Sequence, residues 1–282
     1  MTPAPLVISI QSQVVFGHVG NSAAVFPMQA AGLEVAAIPT VLLSNSPRHP
    51  TLRGRATEPE LVADLLRGVR ERGLPERAAY IVSGYIGSVE VALMTAAFVA
   101  EAKAANPKLI YLCDPVIGDA APGLYVPAPI AEVMRDKLLP LADIATPNPF
   151  ELSWLSDQPV ASLADLDAAR RRMPLPPQAR LIVTGCALAD TAPGQIESVL
   201  LTPEGSSRRP VPHLPIVLSG TGDLFAGLIV ACLATGSDLR AAIATAQRLT
   251  SLALIRAEAL GAREVVLSDP EFRRALLTLN QT

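Results

Sequence analysis

Residues Tyr80 to Pro115 read YIVSGYIGSVEVALMTAAFVAEAKAANPKLIYLCDP. The β-prone run Tyr80-Ile-Val82 leads into Ser83-Gly-Tyr85. A helix is predicted over Val89 to Ala105, ending before Pro107, and Leu109 to Cys113 is a second apolar strand with Asp114-Pro115 at its end. A strand, a crossover helix and a strand at this spacing are the mark of a parallel pair, because the chain must travel back over the sheet before pairing again.

The same alternation extends both ways. Upstream, Leu6-Val-Ile-Ser-Ile10 is a buried strand, followed by a glycine-containing turn, a helix around Ala23 to Ala31 and a strand over Val35 to Leu43. Leu61, Leu65 and Val69 fall one helical turn apart behind Thr57-Glu-Pro-Glu60, where Thr57 is the expected cap and Pro59 costs little in a first turn. Downstream come a helix around Ile130 to Leu138 and a short strand Asp143-Ile-Ala145. Ser162-Leu-Ala-Asp165 is a capping-box helix start, and Arg180 to Val183 a strand ending in Thr184-Gly185. Gln195 to Leu201 and Arg208 to Pro212 form an antiparallel pair around Pro203-Glu-Gly205. Helices over Asp223 to Leu233 and Leu239 to Leu260 follow, and Ser268-Asp-Pro-Glu271 opens a last one. The fold class is therefore α/β, a mostly parallel sheet with helices on both faces. No Pro/Gly/Ser-rich linker and no internal repeat divides residues 1–282, so one domain is expected.

Composition narrows the function classes. The 282 residues carry 23 Lys+Arg against 26 Asp+Glu, a formal net charge of −3, which argues against a dedicated nucleic-acid binder with its basic stripe. Half of the residues are hydrophobic, enough for a large core. Cys113, Cys186 and Cys232 are odd in number and contain no CxxC pair, so a reducing, cytoplasmic setting is expected over a disulfide framework. Met1-Thr-Pro-Ala-Pro has no basic segment leading into an apolar one, so no signal peptide is read there. The longest apolar run, Leu224 to Ala234, is shorter than the roughly 20 residues a bilayer requires.

Ligands of open α/β sheets bind at the C-terminal ends of the strands. Four such ends carry polar residues: Gln11-Ser12, Ser83-Gly-Tyr85, Asp114-Pro115 and Thr146-Pro-Asn148, the last leading into Pro149-Phe-Glu151. Each alone is also an ordinary turn; their recurrence at successive strand ends points to a site.

The sharpest signal is Ser219-Gly-Thr-Gly-Asp-Leu-Phe-Ala-Gly227. Two glycines one residue apart allow a tight turn that converges backbone N–H groups, and the helix starting there adds its positive end. That makes an anion cradle without a basic side chain. Asp223 in the first turn can serve as a helix cap. Beside an anion cradle it also suits a general base that deprotonates an alcohol while the amides hold a transferring phosphoryl group. There is no G-x-x-x-x-G-K-[ST] and no early G-x-G-x-x-G, so neither a P-loop nor a dinucleotide fingerprint is present. Asp114, Asp119 and Glu151 are the candidate hard-oxygen ligands for Mg²⁺. Equally, Asp114 suits a turn and Glu151 an exposed helix position. The three histidines lack metal-ligand spacing, and no G-x-S-x-G elbow supports a serine hydrolase.

Taken together, these segments resemble the pyridoxal kinases of the ribokinase-like superfamily over nearly the whole chain. The resemblance is carried by Ile8-Ser-Ile-Gln-Ser12, Gly17-His-Val-Gly-Asn21, Phe26-Pro27, Ser44-Asn45, Ser83-Gly-Tyr85, Asn106-Pro107, Cys113-Asp-Pro-Val116 with Gly118-Asp119, Thr146-Pro-Asn148 with Glu151, and Gly220-Thr-Gly-Asp223. It implies a three-layer α/β/α homodimer that uses ATP to phosphorylate the 5′-hydroxymethyl group of pyridoxal, with pyridoxine and pyridoxamine as related substrates. Asp223 is then the base, and the amides of Gly220, Thr221 and Gly222 hold the γ-phosphate. Ser12 bonds the pyridine ring, Tyr85 packs against it, and Val19, Val41 and Leu43 line its pocket. Asp114, Asn148 and Glu151 organise ATP and Mg²⁺, the metal falling to Asp114 and Glu151, with Asp119, Tyr125, Thr146 and Thr184 near the nucleotide. A monovalent cation is a further ion the resemblance raises.

Two positions depart from the family pattern. S-N-H-T is replaced by Ser44-Asn-Ser-Pro47, so Pro47 removes a hydroxyl and a backbone donor from a substrate-facing loop. Gln13 stands where a histidine usually follows I-Q-S. The Pro47 change touches the choice of vitamer and leaves the phosphoryl-transfer residues intact. The readings that compete are a hydroxymethylpyrimidine kinase, whose substrate also offers a ring-borne CH₂OH, and a non-catalytic vitamer-binding protein, which has no need of a base at Asp223. Residues 44–55, rich in Pro and Arg, are a candidate lid.

Overall fold

In the strands, odd and even residues enter different cores. The computed structural model describes residues 3–281; Met1 and Thr2, where the N-terminal reading begins, lie outside the described residues. In chain order the elements are β1 (Leu6–Val14), α1 (Asn21–Ala30), β2 (Glu34–Leu43), β3 (Gly54–Ala56), α2 (Pro59–Glu71), α3 (Leu74–Arg77), β4 (Ala78–Ser83) and α4 (Val89–Ala105). Next come β5 (Ile110–Cys113), a small hairpin of β6 (Gly118–Asp119) and β7 (Gly123–Leu124), α5 (Ala128–Val133), β8 (Ile144–Ala145), α6 (Pro149–Ser156) and α7 (Leu163–Arg172). The chain closes with β9 (Arg180–Cys186), β10 (Gln195–Thr202), β11 (Gly205–Pro212), α8 (Thr221–Ala234), α9 (Leu239–Ala259) and α10 (Pro270–Leu277).

Among the described residues the main sheet has nine strands in the order β11-β10-β9-β8-β5-β4-β1-β2-β3. The pairings from β9 across to β2 are parallel, and the antiparallel strands β10, β11 and β3 finish the two edges. Ile81, Tyr111, Leu181 and Val199 point into a core shared with α2, α4, α6 and α7. Val82, Leu112, Ile182 and Leu200 point into a second core with α1, α8, α9 and α10. This period-2 division of strand side chains makes three layers, α/β/α, the ribokinase-like architecture expected.

Helix starts follow their capping chemistry. Ser88 accepts the Val91 N–H at 3.1 Å and opens α4, so the expected bounds of Val89 and Ala105 are the observed ones. Ser162 and Asp165 form the reciprocal capping box of α7. Thr57 does not cap α2: Glu58 holds that position without a side-chain bond, and the Thr57 N–H donates to the Thr40 carbonyl at 3.0 Å. Past Val133, α5 widens into a π-helical turn, Met134–Leu138, and then a 3₁₀ turn, which ends the segment sequence periodicity read as one helix. Trp154 is half-buried on α6 against the first core, and the Arg135 guanidinium lies over its ring, 5.8 Å from the centroid. No described helix is long and apolar enough to cross a membrane.

Candidate active site

The C-terminal ends of β1, β4, β5 and β8 and the N-terminus of α8 converge on one region. β1 runs four residues past its expected end, to Val14, and its pairing with β2 shifts register between Gln11 and Gln13. Ser12 sits at that bulge, a device that re-aims a side chain at a strand end. Below it, a buried polar network fixes the strand to α1: Gln11 Nε2 donates to Ser9 Oγ (2.9 Å), Ser9 Oγ donates to Asn21 Oδ1 (2.7 Å), and Asn21 Nδ2 donates to the Gln11 and Ile38 carbonyls. Sequence reading kept Asn21 only as part of a motif, and Gln11 only as a strand-end polar residue.

Gly20 explains how Ser12 and Asp223 come to share a site. It holds φ +55°, and a Cβ there would lie 2.1 Å from the Ser12 carbonyl oxygen and 2.4 Å from Ser12 Oγ. The close approach is open to glycine alone. On its other side the Gly20 N–H donates toward the Asp223 carboxylate. Asp223 is half-buried in the first turn of α8. Burial raises its pKa above the usual carboxylate range, and the Gly20 N–H offsets part of that rise.

The turn before α8 has the cradle geometry. Gly220 is left-handed, φ +86° and ψ 0°, and a Cβ there would overlap the His18 carbonyl oxygen at 1.9 Å. Its carbonyl accepts the Leu224 N–H at 2.9 Å, so the preceding N–H groups of Thr221, Gly222 and Asp223 have no acceptor inside the helix. Gly222 differs from Gly220: its φ is ordinary, and the first atom a Cβ would meet is Asp114 Oδ2, at 3.7 Å.

Asp114 lies at the end of β5 and is 4 % exposed. Its Oδ1 accepts the Thr146 hydroxyl at 2.8 Å, whereas Oδ2 is buried with no partner. Burial first, and then the nearby Asp223 charge, raise its pKa from 3.8 to about 7, against the lowering effect of Thr146. Glu151 is also 4 % exposed, which sets aside the exposed-helix reading. With Asn148 it forms the capping box of α6, Asn148 Oδ1 accepting the Glu151 N–H and Glu151 Oε2 the Asn148 N–H, each at 2.9 Å. Glu151 Oε1 also accepts the Ile117 N–H at 3.0 Å, and Asn148 Nδ2 donates to the Gly118 carbonyl at 2.8 Å. Burial and the Asp114 charge hold the Glu151 pKa well above normal.

The remaining expected residues surround this centre. Val41 is buried, Val19, Leu43 and Tyr85 are half-buried, and the Tyr85 carbonyl accepts the Thr40 hydroxyl at 2.6 Å. Pro47 is exposed on the 44–54 segment. Asp119 and Tyr125 are exposed on the β6–β7 hairpin, where Arg48 from that segment comes close enough to act on the Tyr125 hydroxyl. The Thr184 N–H donates to the Pro147 carbonyl at 3.0 Å, which sets Thr184 beside Asn148. Cys113 is fully buried, with burial as the main reason its thiol is pushed up to about 12, which suits a structural residue and not a nucleophile.

The arrangement brings the Asp223 carboxylate, the free first-turn amides of α8 and the unpartnered Asp114 Oδ2 close together at the ends of β5 and α8. Comparison with known proteins gives the same direction. A family model described as phosphomethylpyrimidine kinase matches residues 52–267. Pyridoxal kinase PdxY of Rubrobacter xylanophilus is 37 % identical over 263 residues, covering 93 % of this chain and 90 % of the relative. The pyridoxine/pyridoxal/pyridoxamine kinase of Bordetella bronchiseptica is 36 % identical over 272 residues, 96 % of each chain. The structure of pyridoxal kinase from Leishmania donovani in complex with ADP and pyridoxamine superposes with a TM-score of 0.86 at 33 % identity, covering 96 % of this chain and 95 % of that one. At these identities and coverages, the chain belongs to the pyridoxal kinase family of the ribokinase-like superfamily.

Proposed function

We propose that this protein is an ATP-dependent pyridoxal kinase acting through a single domain over residues 1–282. The observation that carries the reading is Asp223: a half-buried carboxylate in the first turn of α8, beside free helix amides and facing the Gly20 N–H. Its raised pKa makes it a better proton acceptor than a surface aspartate, and the Gly20 N–H supports the ionised form that must do the accepting. Asp223 takes the proton of the 5′-hydroxyl, the alkoxide oxygen forms its bond to the γ-phosphorus, and the bond from that phosphorus to the β–γ bridging oxygen breaks. ADP departs with the electron pair. The N–H groups of Gly220, Thr221 and Gly222 receive the charge on the transferring group without reorganising, because φ +86° at Gly220 already aims the turn.

On the substrate side, Ser12 at the bulge bonds the ring, Tyr85 packs against it, and Val19, Val41 and Leu43 supply apolar walls. Pro47 brings no hydroxyl to the 44–54 segment, so selection among pyridoxal, pyridoxine and pyridoxamine falls to the other contacts. Asp119, Tyr125, Thr146, Asn148 and Thr184 flank the nucleotide.

Among the described residues no three His, Cys, Asp or Glu side chains form a protein-only metal cage. That suits Mg²⁺, which keeps several waters and takes one or two carboxylates together with phosphates. The unpartnered Asp114 Oδ2 fits it as a hard ligand, and Glu151, whose oxygens each accept an amide, fits a water-mediated role. When bound, the ion neutralises phosphate charge. The buried free thiols Cys113, Cys186 and Cys232 accord with a reducing cytoplasmic setting, and the family resemblance supports a homodimer, which sedimentation analysis checks.

The test is a coupled ADP-release assay with pyridoxal and, in parallel, hydroxymethylpyrimidine, the substrate of the competing reading, beside the phosphomethylpyrimidine kinase description of the matched family model. Turnover of pyridoxal is expected to dominate. Asp223→Asn is expected to lower kcat by about 10²–10⁴-fold with little change in ATP binding. Undiminished turnover in that variant returns Asp223 to a capping role.

A further inference from the structure

One buried carboxylate outside the machinery above holds together three segments that are far apart in sequence. Glu264 lies between α9 and α10, 6 % exposed, where it forms a parallel bridge with Ser219, and the adjacent Val265 N–H donates to the Ser219 carbonyl at 3.3 Å. This fastens Glu264 to the residue just before the Gly220 turn. Its Oε2 accepts the His18 N–H at 2.8 Å, and its Oε1 pairs with His49 Nε2 at 3.0 Å. Gly17, at φ +99°, is pressed so closely against the carboxylate that a Cβ would lie 2.1 Å from Oε2. The 17–20 turn is therefore clamped, with Glu264 on one side of it and, through the His18 carbonyl, Gly220 on the other.

The second contact reaches the 44–54 segment. His49 is reinforced there by an edge-to-face contact with Phe16, centroids 6.1 Å apart, and by Arg263 Nη1 donating to the Arg48 carbonyl at 3.3 Å. Glu264 thus anchors the turn that supplies the Gly20 N–H to Asp223, the segment that carries Pro47, and, through the Ser219 bridge, the residue just before the amide cradle.

We propose that Glu264 is a positioning residue for phosphoryl transfer: its carboxylate sets the 17–20 turn against the Gly220 turn and ties His49 to the same point. This rests on the kinase reading above for the reaction it serves, and on the contacts alone for the positioning. Removing the carboxylate leaves the half-buried His18 N–H without its acceptor and loosens both loops at once. Because alignment of base, amides and hydroxyl governs the rate, displacement of about 1 Å at such a remove costs on the order of 10²-fold.

The experiment compares Glu264→Ala, Glu264→Gln and His49→Ala with wild type by steady-state kinetics and by amide hydrogen exchange resolved to peptides. Glu264→Ala is expected to lower kcat about 10–100-fold while the KM for ATP holds. Its exchange should accelerate only over residues 15–20 and 44–54. Glu264→Gln retains a carbonyl oxygen for the His18 N–H and should recover most of the rate. His49→Ala, altering only the tie to 44–54, should raise the KM for pyridoxal with kcat nearly kept. If Glu264→Ala does not fold, Glu264→Asp takes its place, since the shorter side chain cannot reach both donors. Wild-type kinetics in the alanine or aspartate variant, exchange that rises across the whole chain, or a His49→Ala enzyme with unchanged KM overturns the assignment. Absence of pyridoxal turnover in the wild type instead overturns the kinase reading, and the two exchange signatures still test the clamp.

Discussion

Gly220 and Gly222 look interchangeable in the string Gly220-Thr-Gly-Asp223, and the structure separates them. Gly220 is needed by the fold, because its φ is +86° and the His18 carbonyl stands where a side chain would go. Gly222 is helical, with only Asp114 Oδ2 in van der Waals range of an added methyl. A first-turn alanine is normally as good as glycine or better, by about 0.5–1 kcal/mol. Gly222→Ala is thus expected to melt no lower than wild type and still lose phosphoryl transfer, its methyl standing between Asp114 and the amides. Gly220→Ala should lose thermal stability and activity together. Melting curves beside rates check both; an active Gly222→Ala enzyme contradicts the cradle. Asp223 was legible from its neighbours because helix start, glycines and acid are adjacent in sequence. Glu264 was not, for its partners His18 and His49 lie 246 and 215 positions away.

Elements with local start signals were read closely. Ser88 and Ser162 each accept an N–H three residues on, and their helices begin where expected. Short or tertiary elements escaped: β3 has three residues and β6 two, too few to show a period, and they exist because β2 and β7 offer them partners. The capping box of α6 also went unread, although Asn148 and Glu151 have the required spacing, because Pro-flanked Asn148 resembles a plain turn. That box has two duties, holding the helix and holding Glu151 inside the site. Asn148→Ala is expected to cost about 1 kcal/mol of stability, the usual value of a cap, and in addition to raise the KM for ATP. Chemical denaturation with parallel nucleotide titration separates the two; a stability loss with unchanged KM confines Asn148 to capping.

Taken as one body, the sheet concentrates acidic charge at a single end. Asp114, Glu151 and Asp223 all have raised pKa values, and for each the first cause is burial. Asp114 shows the consequence. Between its ordinary 3.8 and its folded value of about 7, the native state holds a proton that the unfolded chain has released. Stability of the ligand-free protein should therefore decline as pH rises across that interval. A Mg²⁺–nucleotide complex binds the ionised carboxylate, so its stabilising effect should grow with pH. The rise in Tm caused by Mg²⁺–ADP is expected to be larger at about pH 8 than at about pH 5.5, and the difference should shrink in Asp114→Asn. Equal shifts at both pH values in the wild type contradict the assignment of Asp114.

Trp154 is the only tryptophan in the chain. It sits one helical turn beyond Glu151, on the helix whose first turn holds the Asn148–Glu151 capping box, with a guanidinium over its indole. Its ultraviolet emission comes from one position alone, so a shift in colour or intensity as nucleotide is added reports on that helix, with no dye or tag attached.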